Sequence, residues 1–297
     1  MQNTENFTPQ LTADGSFTFF SAEFGQTFHS HFGARQEAEL KFTQPLQLAH
    51  KARQPVLRLL DICYGLGYNT AAALATIWAV NPDCRIEWIG LELTPAAPQA
   101  AISQNLLNQW PTPIPQLLTQ LAASCQIETD RLQAQLLIGD ARQTIQQVCR
   151  SGFPADAVFL DPFSPPSCPQ LWTVEFLSLV ANCLHPLGLI ATYSCSAAVR
   201  SALISAALQI ASTSPVGRRS PGTVAWKNDR DHEPNTSADL LSLSQQEREH
   251  LQTRAAIPYR DPHLHDCAAT IIGRRQIEQQ ASSLEPTSHW KKRWSIS

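Results

Sequence analysis

Val56 to Thr70 reads Val-Leu-Arg-Leu-Leu-Asp-Ile-Cys-Tyr-Gly-Leu-Gly-Tyr-Asn-Thr. An apolar run closes on Asp61, a turn with Gly65 and Gly67 follows, and Ala71 to Val80 has high helix propensity. This is strand, tight turn, helix. Glycines at such a turn allow positive φ and close approach of a ligand, and the amides of the following helix face that ligand. The stretch therefore predicts a nucleotide-type pocket at the carboxyl end of the first strand of an α/β sheet. A dinucleotide fingerprint needs three glycines spaced G-x-G-x-x-G, but this turn has Gly65 and Gly67 alone, with Cys63 two residues earlier. S-adenosylmethionine (SAM) fits better. It has no pyrophosphate to cradle, and its ammonium suits a carboxylate such as Asp61, directly or through water.

The rest of the chain supplies further strands that end in acidic residues. Arg85 to Glu92 is a second strand, one helix and one strand beyond Asp61, as in a βαβ unit. A carboxylate there, Glu92, can accept both ribose hydroxyls of an adenosine. Pro95 to Trp110 is helical in composition, the prolines of Trp110 to Pro115 break that helix, and Gln116 to Arg131 is predicted helical. Leu136 to Asp140 is a third strand. Its Asp140 is placed to accept from the adenine amino group, and Gly139 lets the backbone pass the ring. Ala157 to Asp161 is a buried fourth strand, followed by the stiff Pro162-Phe163-Ser164-Pro165-Pro166. A helix from Trp172 to Cys183, a fifth strand from Gly188, a helix from Ala197 to Ile210 and a late antiparallel strand at Thr223 to Trp226 complete the order. Before the first strand, Gly15 to Phe24 predicts a hairpin and Ala34 to Phe42 a helix. His29 and His31 lie two apart with no third ligand nearby, which argues against a metal.

Composition narrows the class. The chain has 297 residues, 43% hydrophobic and 16% charged, enough for a packed core and against wholesale disorder. No apolar run nears the roughly 20 residues of a membrane span, and the first residues lack a signal-peptide pattern. Eight cysteines without a C-x-x-C pair read as thiols of a reducing cytosol. The expected location is cytoplasmic, with no membrane partner. The net charge of −3 does not mark a nucleic-acid binder, but the basic residues gather late, at Arg218-Arg219, Arg274-Arg275 and Lys291-Lys292-Arg293. The last of these is flanked by Trp290 and Trp294 in a tail read as able to move, a combination suited to phosphate contact and stacking.

Carboxylates at four successive strand ends, Asp61, Glu92, Asp140 and Asp161, with a glycine turn at the first, are the pattern of a class I SAM-dependent methyltransferase. From Asp14 to Trp226 the chain more narrowly resembles the MnmC-type methyltransferase family, which completes the 5-methylaminomethyl group on the wobble uridine of certain tRNAs. The resemblance rests on Gly65, Gly67 and Asn69, Glu92 with Pro95, Gln109-Trp110-Pro111, Gly139-Asp140, and Asp161 with Phe163, Pro165 and Trp172. It also takes in Ala191 to Ser194, Val199-Arg200 and Gly217-Arg218-Arg219. The family often has glycine where Cys63 stands and glutamate where Asp61 stands, and its fused members have Asp-Gly-Phe in place of Asp161-Pro162-Phe163.

The resemblance implies a Rossmann-like α/β sheet with helices on both faces, a small N-terminal hairpin and a C-terminal extension. The expected division is a lead-in over 1–50, a methyltransferase core over 51–227 and an extension over 228–297, helical or partly disordered. It further implies a stand-alone enzyme without the flavin-dependent oxidase domain, using SAM and neither metal nor flavin. The expected cofactor residues are Asp61, Cys63, Gly65, Gly67, Asn69, Glu92, Gly139 and Asp140. Asp161 and Phe163 are the expected catalytic residues. Tyr193, Arg200, Arg218 and Arg219 are expected to hold the tRNA substrate, with Phe163 and Tyr193 stacking on a flipped uridine. Two alternatives stay open: an N-methyltransferase for another amine, and a non-catalytic RNA-binding partner with the same fold.

Overall fold

The fold is taken from a computed structural model that describes residues 7–216, 220–228 and 240–295. Its centre is a nine-stranded sheet. In chain order the strands are β1 (Val56–Ile62), β2 (Arg85–Glu92), β3 (Gln126–Glu128), β4 (Leu132–Ile138), β5 (Ala155–Leu160), β6 (Leu184–Thr192), β7 (Leu208–Thr213), β8 (Thr223–Lys227) and β9 (Leu240–Leu241). Across the sheet they run β9-β7-β8-β6-β5-β1-β2-β4-β3. The five central strands from β6 to β4 are parallel, and the strands beyond them on both sides pair antiparallel. The strand order reverses between β1 and β5, and a ligand crevice opens at such a switch point.

Helices cover both faces, which is why the central strands read as near-continuous apolar runs. In β1, Leu57 and Leu59 enter one core with Trp88 and Leu74, while Leu60 and Ile62 enter the other with Phe176 and Leu203. The longer α-helices are α1 (Tyr68–Val80), α2 (Ala96–Ser103), α3 (Ile114–Ser124), α4 (Ala141–Ser151), α5 (Val174–Asn182), α6 (Ala197–Ser205), α7 (Gln245–His250), α8 (Ala268–Ala281) and α9 (Thr287–Trp294). None of the described helices is long and apolar enough to cross a membrane.

Two stretches expected to be helical turn into strand partway. The helix in Gln116 to Arg131 stops at Ser124, because Cys125 takes a left-handed φ of 58° and Gln126–Glu128 pairs with β4. The helix from Ala197 stops at Ser205. Ala207 has a φ of 61°, and Leu208–Thr213 joins the sheet as β7. The N-terminal hairpin is two small ribbons, Gln10–Leu11 with Phe17–Thr18 and Phe20–Ser21 with Gln26–Thr27. The helix expected from Ala34 is α-helical over Ala34–Glu37 and π-helical over Ala38–Thr43.

The C-terminal extension is docked on the sheet. Arg200, expected on the substrate side, is 2% exposed and belongs to this docking. Its guanidinium donates to Glu247 (2.8 Å), Thr223 Oγ1 (2.9 Å), Ser212 Oγ (2.8 Å) and the Gly222 carbonyl (3.3 Å). With its donors spent on β7, β8 and α7, it is not available to an RNA. The basic tail is likewise folded in. Arg293 pairs with Glu285 and Glu249, Trp294 donates to Glu249, and Trp290 stacks on His250 at 4.1 Å. Lys291 and Lys292 stay exposed. Arg218 and Arg219 lie outside the described residues.

Burial opposes the charge of Glu247, but hydrogen bonds from Ser212, the Ser244 amide and Arg200 hold its carboxyl at about 2, below an ordinary 4.5. A depressed folded value stabilises the fold above pH 4.5, and that contribution is lost as pH falls toward 2. Thermal unfolding followed across this window should show the loss in the wild type and a flatter profile in Glu247→Gln. Glu247→Ala strands a buried guanidinium and is expected to cost about 3 kcal/mol near neutrality by denaturant unfolding.

Candidate active site

The end of β2 shapes the turn after β1. The Leu91 carbonyl accepts from the Cys63 and Tyr64 amides, both at 3.0 Å, and Glu92 Oε2 accepts from the Gly65 amide at 2.8 Å. Glu92 Oε1 takes the Leu93 and Thr94 amides at 2.8 and 3.4 Å. The turn needs left-handed backbone at Cys63 (φ 67°), Gly65 (φ 58°) and Gly67 (φ 85°). A non-glycine residue pays about 1–2 kcal/mol for that conformation, which is why glycine suits the place where Cys63 stands. At Gly67 a Cβ would also lie 2.5 Å from the Tyr64 hydroxyl.

Beyond this turn lies a cavity of about 280 Å³ at the carboxyl ends of β1, β2, β4 and β5. Cys63, Gly65, Asn69, Glu92, Gly139, Asp140, Asp161, Phe163 and Tyr193 all line it. Asp61 and Gly67 are not among the lining residues. Strand β1 runs one residue past Asp61, and the Asp61 carboxylate turns inward to accept from Thr70 Oγ1 at 2.7 Å. Its Oδ1 is buried with no partner among the described residues. Gly67 acts behind the turn, as the left-handed cap of α1.

Asn69, on the first turn of α1, donates to Asp161 Oδ2 at 2.8 Å across the switch point. Burial pushes the Asp161 carboxyl well above the usual range, Asn69 opposes the rise, and the nearby Glu37 and Asp61 add to it. Burial also raises Glu92, against its three amide donors. At the other end, Asp140 caps α4, accepting from the Arg142 amide at 2.9 Å and from its guanidinium at 2.6 and 3.1 Å. The cavity is thus polarised. The Asp140 side is neutralised by an arginine, and the Asp161 side holds a carboxyl that burial pushes toward its neutral form, bonded by the neutral Asn69.

The N-terminal ribbons, read as a lead-in, form one wall. Phe24 stacks on Phe163 at 4.4 Å, with Phe28 edge-on at 5.1 Å, so Phe24 covers the Phe163 face expected to meet a base. Gln26 Nε2 straps this segment to the loop after β5, donating to Ser164 and Ser167 Oγ at 2.6 and 2.9 Å. Tyr193 donates to the Pro162 carbonyl at 2.9 Å and meets Trp172 edge-on. Lys41, 4% exposed, pairs with Glu37 at 3.0 Å, and both line the cavity with His29, which burial pushes down to about 4. Sequence reading missed this wall. The signals were the density of aromatic residues from Phe17 to Phe32 and the Glu37/Lys41 spacing, which ordinarily marks an exposed helix face. Among the described residues no group of three or more His, Cys, Asp or Glu could hold a metal.

Comparison with known proteins identifies the family. The family model for S-adenosyl-L-methionine-dependent methyltransferases matches residues 97–228. The crystal structure of MnmC2 from Aquifex aeolicus is 32% identical, with a TM-score of 0.79, over 95% of this chain and 87% of that one. The chain belongs to the MnmC-type methyltransferase family. An uncharacterized Methanocaldococcus jannaschii protein, MJ0670, is 29% identical over 91% of this chain and 71% of its own. The tRNA 5-methylaminomethyl-2-thiouridine biosynthesis bifunctional protein MnmC of Ralstonia nicotianae is 27% identical over 73% of this chain. This chain spans about a third (34%) of that protein's length.

The MnmC-type fold implies SAM, and the cavity has polar and open walls for such a group. Glu92 lines it with a carboxylate, and the backbone at Gly139 leaves space, since a Cβ there would meet Thr144 only at 3.8 Å. Behind the turn, Asp61 carries an unmet buried acceptor. Burial lifts Asp61 to about 7 from an ordinary 3.8, against the Thr70 hydrogen bond and with help from Glu92. A raised folded value means that stability falls as pH rises from 3.8 to about 7. Asp61→Asn should therefore gain stability over the wild type above pH 7, with the difference vanishing near pH 4, in Tm measured across that range.

Proposed function

We propose that this SAM-dependent methyltransferase methylates the amine of 5-aminomethyl-(2-thio)uridine at the tRNA wobble position, giving the 5-methylaminomethyl form. The observation that carries this reading is the likeness to MnmC2 over nearly the whole chain. The name of the bifunctional MnmC relatives supplies the substrate class.

Bound in the cavity, SAM supplies a methyl group on a sulfonium. The chain's own residues do the rest. Glu92 holds the ribose hydroxyls, and Gly139 and Asp140 border the adenine. A primary alkyl amine is mostly protonated near neutrality and must be neutral to attack. Asp161, lifted by burial, accepts its hydrogen bond and its proton. Asn69 fixes the Asp161 carboxylate, and the partly closed pocket favours the neutral amine. Holding amine and methyl in line is the main catalytic effect, because methyl transfer needs little else. Tyr193 and the Phe24/Phe163/Phe28 wall give the flat pyrimidine an aromatic boundary.

The test is incubation of the purified protein with SAM and tRNA carrying the aminomethyl wobble nucleoside. Nucleoside mass analysis should show one added methyl there and none on bulk unmodified tRNA. Methylation of a free amine with the tRNA ignored would shift the reading to another amine substrate. Failure to bind SAM by calorimetry would leave the non-catalytic alternative.

Two variants probe the residues. Glu92→Ala should weaken SAM binding by about 1.5–3 kcal/mol, the range for hydrogen bonds to a charged group. An unchanged Kd in the folded variant would remove Glu92 from the ribose. Asp161→Ala should lower kcat far more than it weakens SAM binding, whereas full turnover would exclude a base or positioning role.

A further inference from the structure

Asp140, at the adenine side of the cavity, does not stand alone. Its carboxylate is gripped by the Arg142 guanidinium through Nε at 3.1 Å and Nη2 at 2.6 Å. The remaining terminal nitrogen, Nη1, reaches other partners. It donates to Asp261 Oδ2 and to the Asp266 carbonyl, both at 2.9 Å. Asp261 belongs to the C-terminal extension, and its side chain is 0% exposed.

The segment around Asp261 is itself anchored. The Asp261 amide donates to Glu175 Oε2 at 2.8 Å, and Arg260 donates to Glu175 Oε1 at 2.7 Å. The Tyr259 carbonyl accepts from Val174 at the start of α5. The other Asp261 oxygen caps its own loop, taking the His265 and Asp266 amides at 3.2 Å. Asp266 is held in turn by Arg274 of α8 at 2.7 Å.

We infer that Asp261 is a positioning residue for the cofactor site: through Arg142 it fixes the Asp140 carboxylate, so the extension completes the adenine end of the pocket. The inference rests on the proposed role of Asp140 as acceptor for the adenine amino group. Its physical basis is mutual need. An arginine side chain carries about 2 kcal/mol of rotamer entropy and must be pinned at both ends to hold a partner still. A buried aspartate must in turn be paired with a cation and hydrogen-bonded. The Arg142 fork meets both needs, and Arg142 lines the cavity together with Asp140. An acceptor held rigidly rejects an analogue that sets a carbonyl oxygen against it in place of the amino donor.

The experiment uses the full chain and two probes, S-adenosylhomocysteine and S-inosylhomocysteine, which carries a carbonyl in place of the 6-amino group. Calorimetry on the wild type should give a preference for the adenosyl form of at least about tenfold. Asp140→Asn and Asp261→Asn should each shrink that preference at least about threefold, through loss of adenosyl affinity. Arg142→Lys keeps the charge but not the fork. It should do the same, which covers the case in which Asp261→Asn does not fold. A merely structural role for Asp261 would lower Tm and leave the ratio of the two affinities unchanged. If Asp140→Asn shrinks the ratio while Asp261→Asn or Arg142→Lys leaves it at the wild-type value, the inference falls and the Asp140 reading stands. If the wild type shows no preference, or Asp140→Asn does not alter it, both fall.

Discussion

The site depends on the way the end of β2 holds the turn after β1. The Leu91 carbonyl and the Glu92 carboxylate together take three successive amides, from Cys63, Tyr64 and Gly65. Backbone in the left-handed region has few partners of its own, and here the neighbouring strand provides them. The same contacts leave α1 starting at Tyr68 with Asn69 aimed across the switch point at Asp161. Loss of the Glu92 carboxylate would therefore act on the shape of the turn as well as on any ribose, and the burial that lifts its pKa is the cost of this arrangement.

Electrostatics then divide the cavity. The Asp140 end is balanced by Arg142, a suitable setting for a neutral heterocycle. The opposite end gathers Asp161, with Asp61 behind it, and burial lifts both carboxyls. Carboxylates that resist ionisation while the cavity is empty become favourable once a sulfonium or an ammonium enters, since an opposite charge lowers their pKa again. Lys41 does not cancel this set, because it is committed to Glu37.

The strand-ending carboxylates and the glycine turn were legible because each is a local pattern: an apolar run, one acidic residue, then a breaker. That was enough for the parallel centre of the sheet, for β8, and for the carboxylates at or just past the ends of β2, β4 and β5. What was not legible depended on contacts distant in sequence. Arg200 follows the family motif, yet its burial comes from Glu247, forty-seven positions later. Asp61 closes an apolar run, but whether its side chain turns to the pocket or to Thr70 depends on where β1 ends. The aromatic wall, the Gln26 strap and the Arg142–Asp261 link join segments more than a hundred positions apart. Strand β3 and the first half of β7, Leu208 to Ile210, read as helix from sequence because their flanking residues have good helix propensity, and tertiary pairing overrides it.

The account's central claim is that one cavity at the β1/β5 switch point holds cofactor and amine on either side of a single transfer line. A crystal structure of the protein with S-adenosylhomocysteine and an aminomethyl-uridine nucleoside tests it most directly. The account predicts the ribose on Glu92, the sulfur turned toward Asp161 and Asn69, and the amine nitrogen within hydrogen-bond reach of the Asp161 carboxylate. A cofactor sulfur facing away from Asp161, or an amine bound apart from that carboxylate, would contradict it.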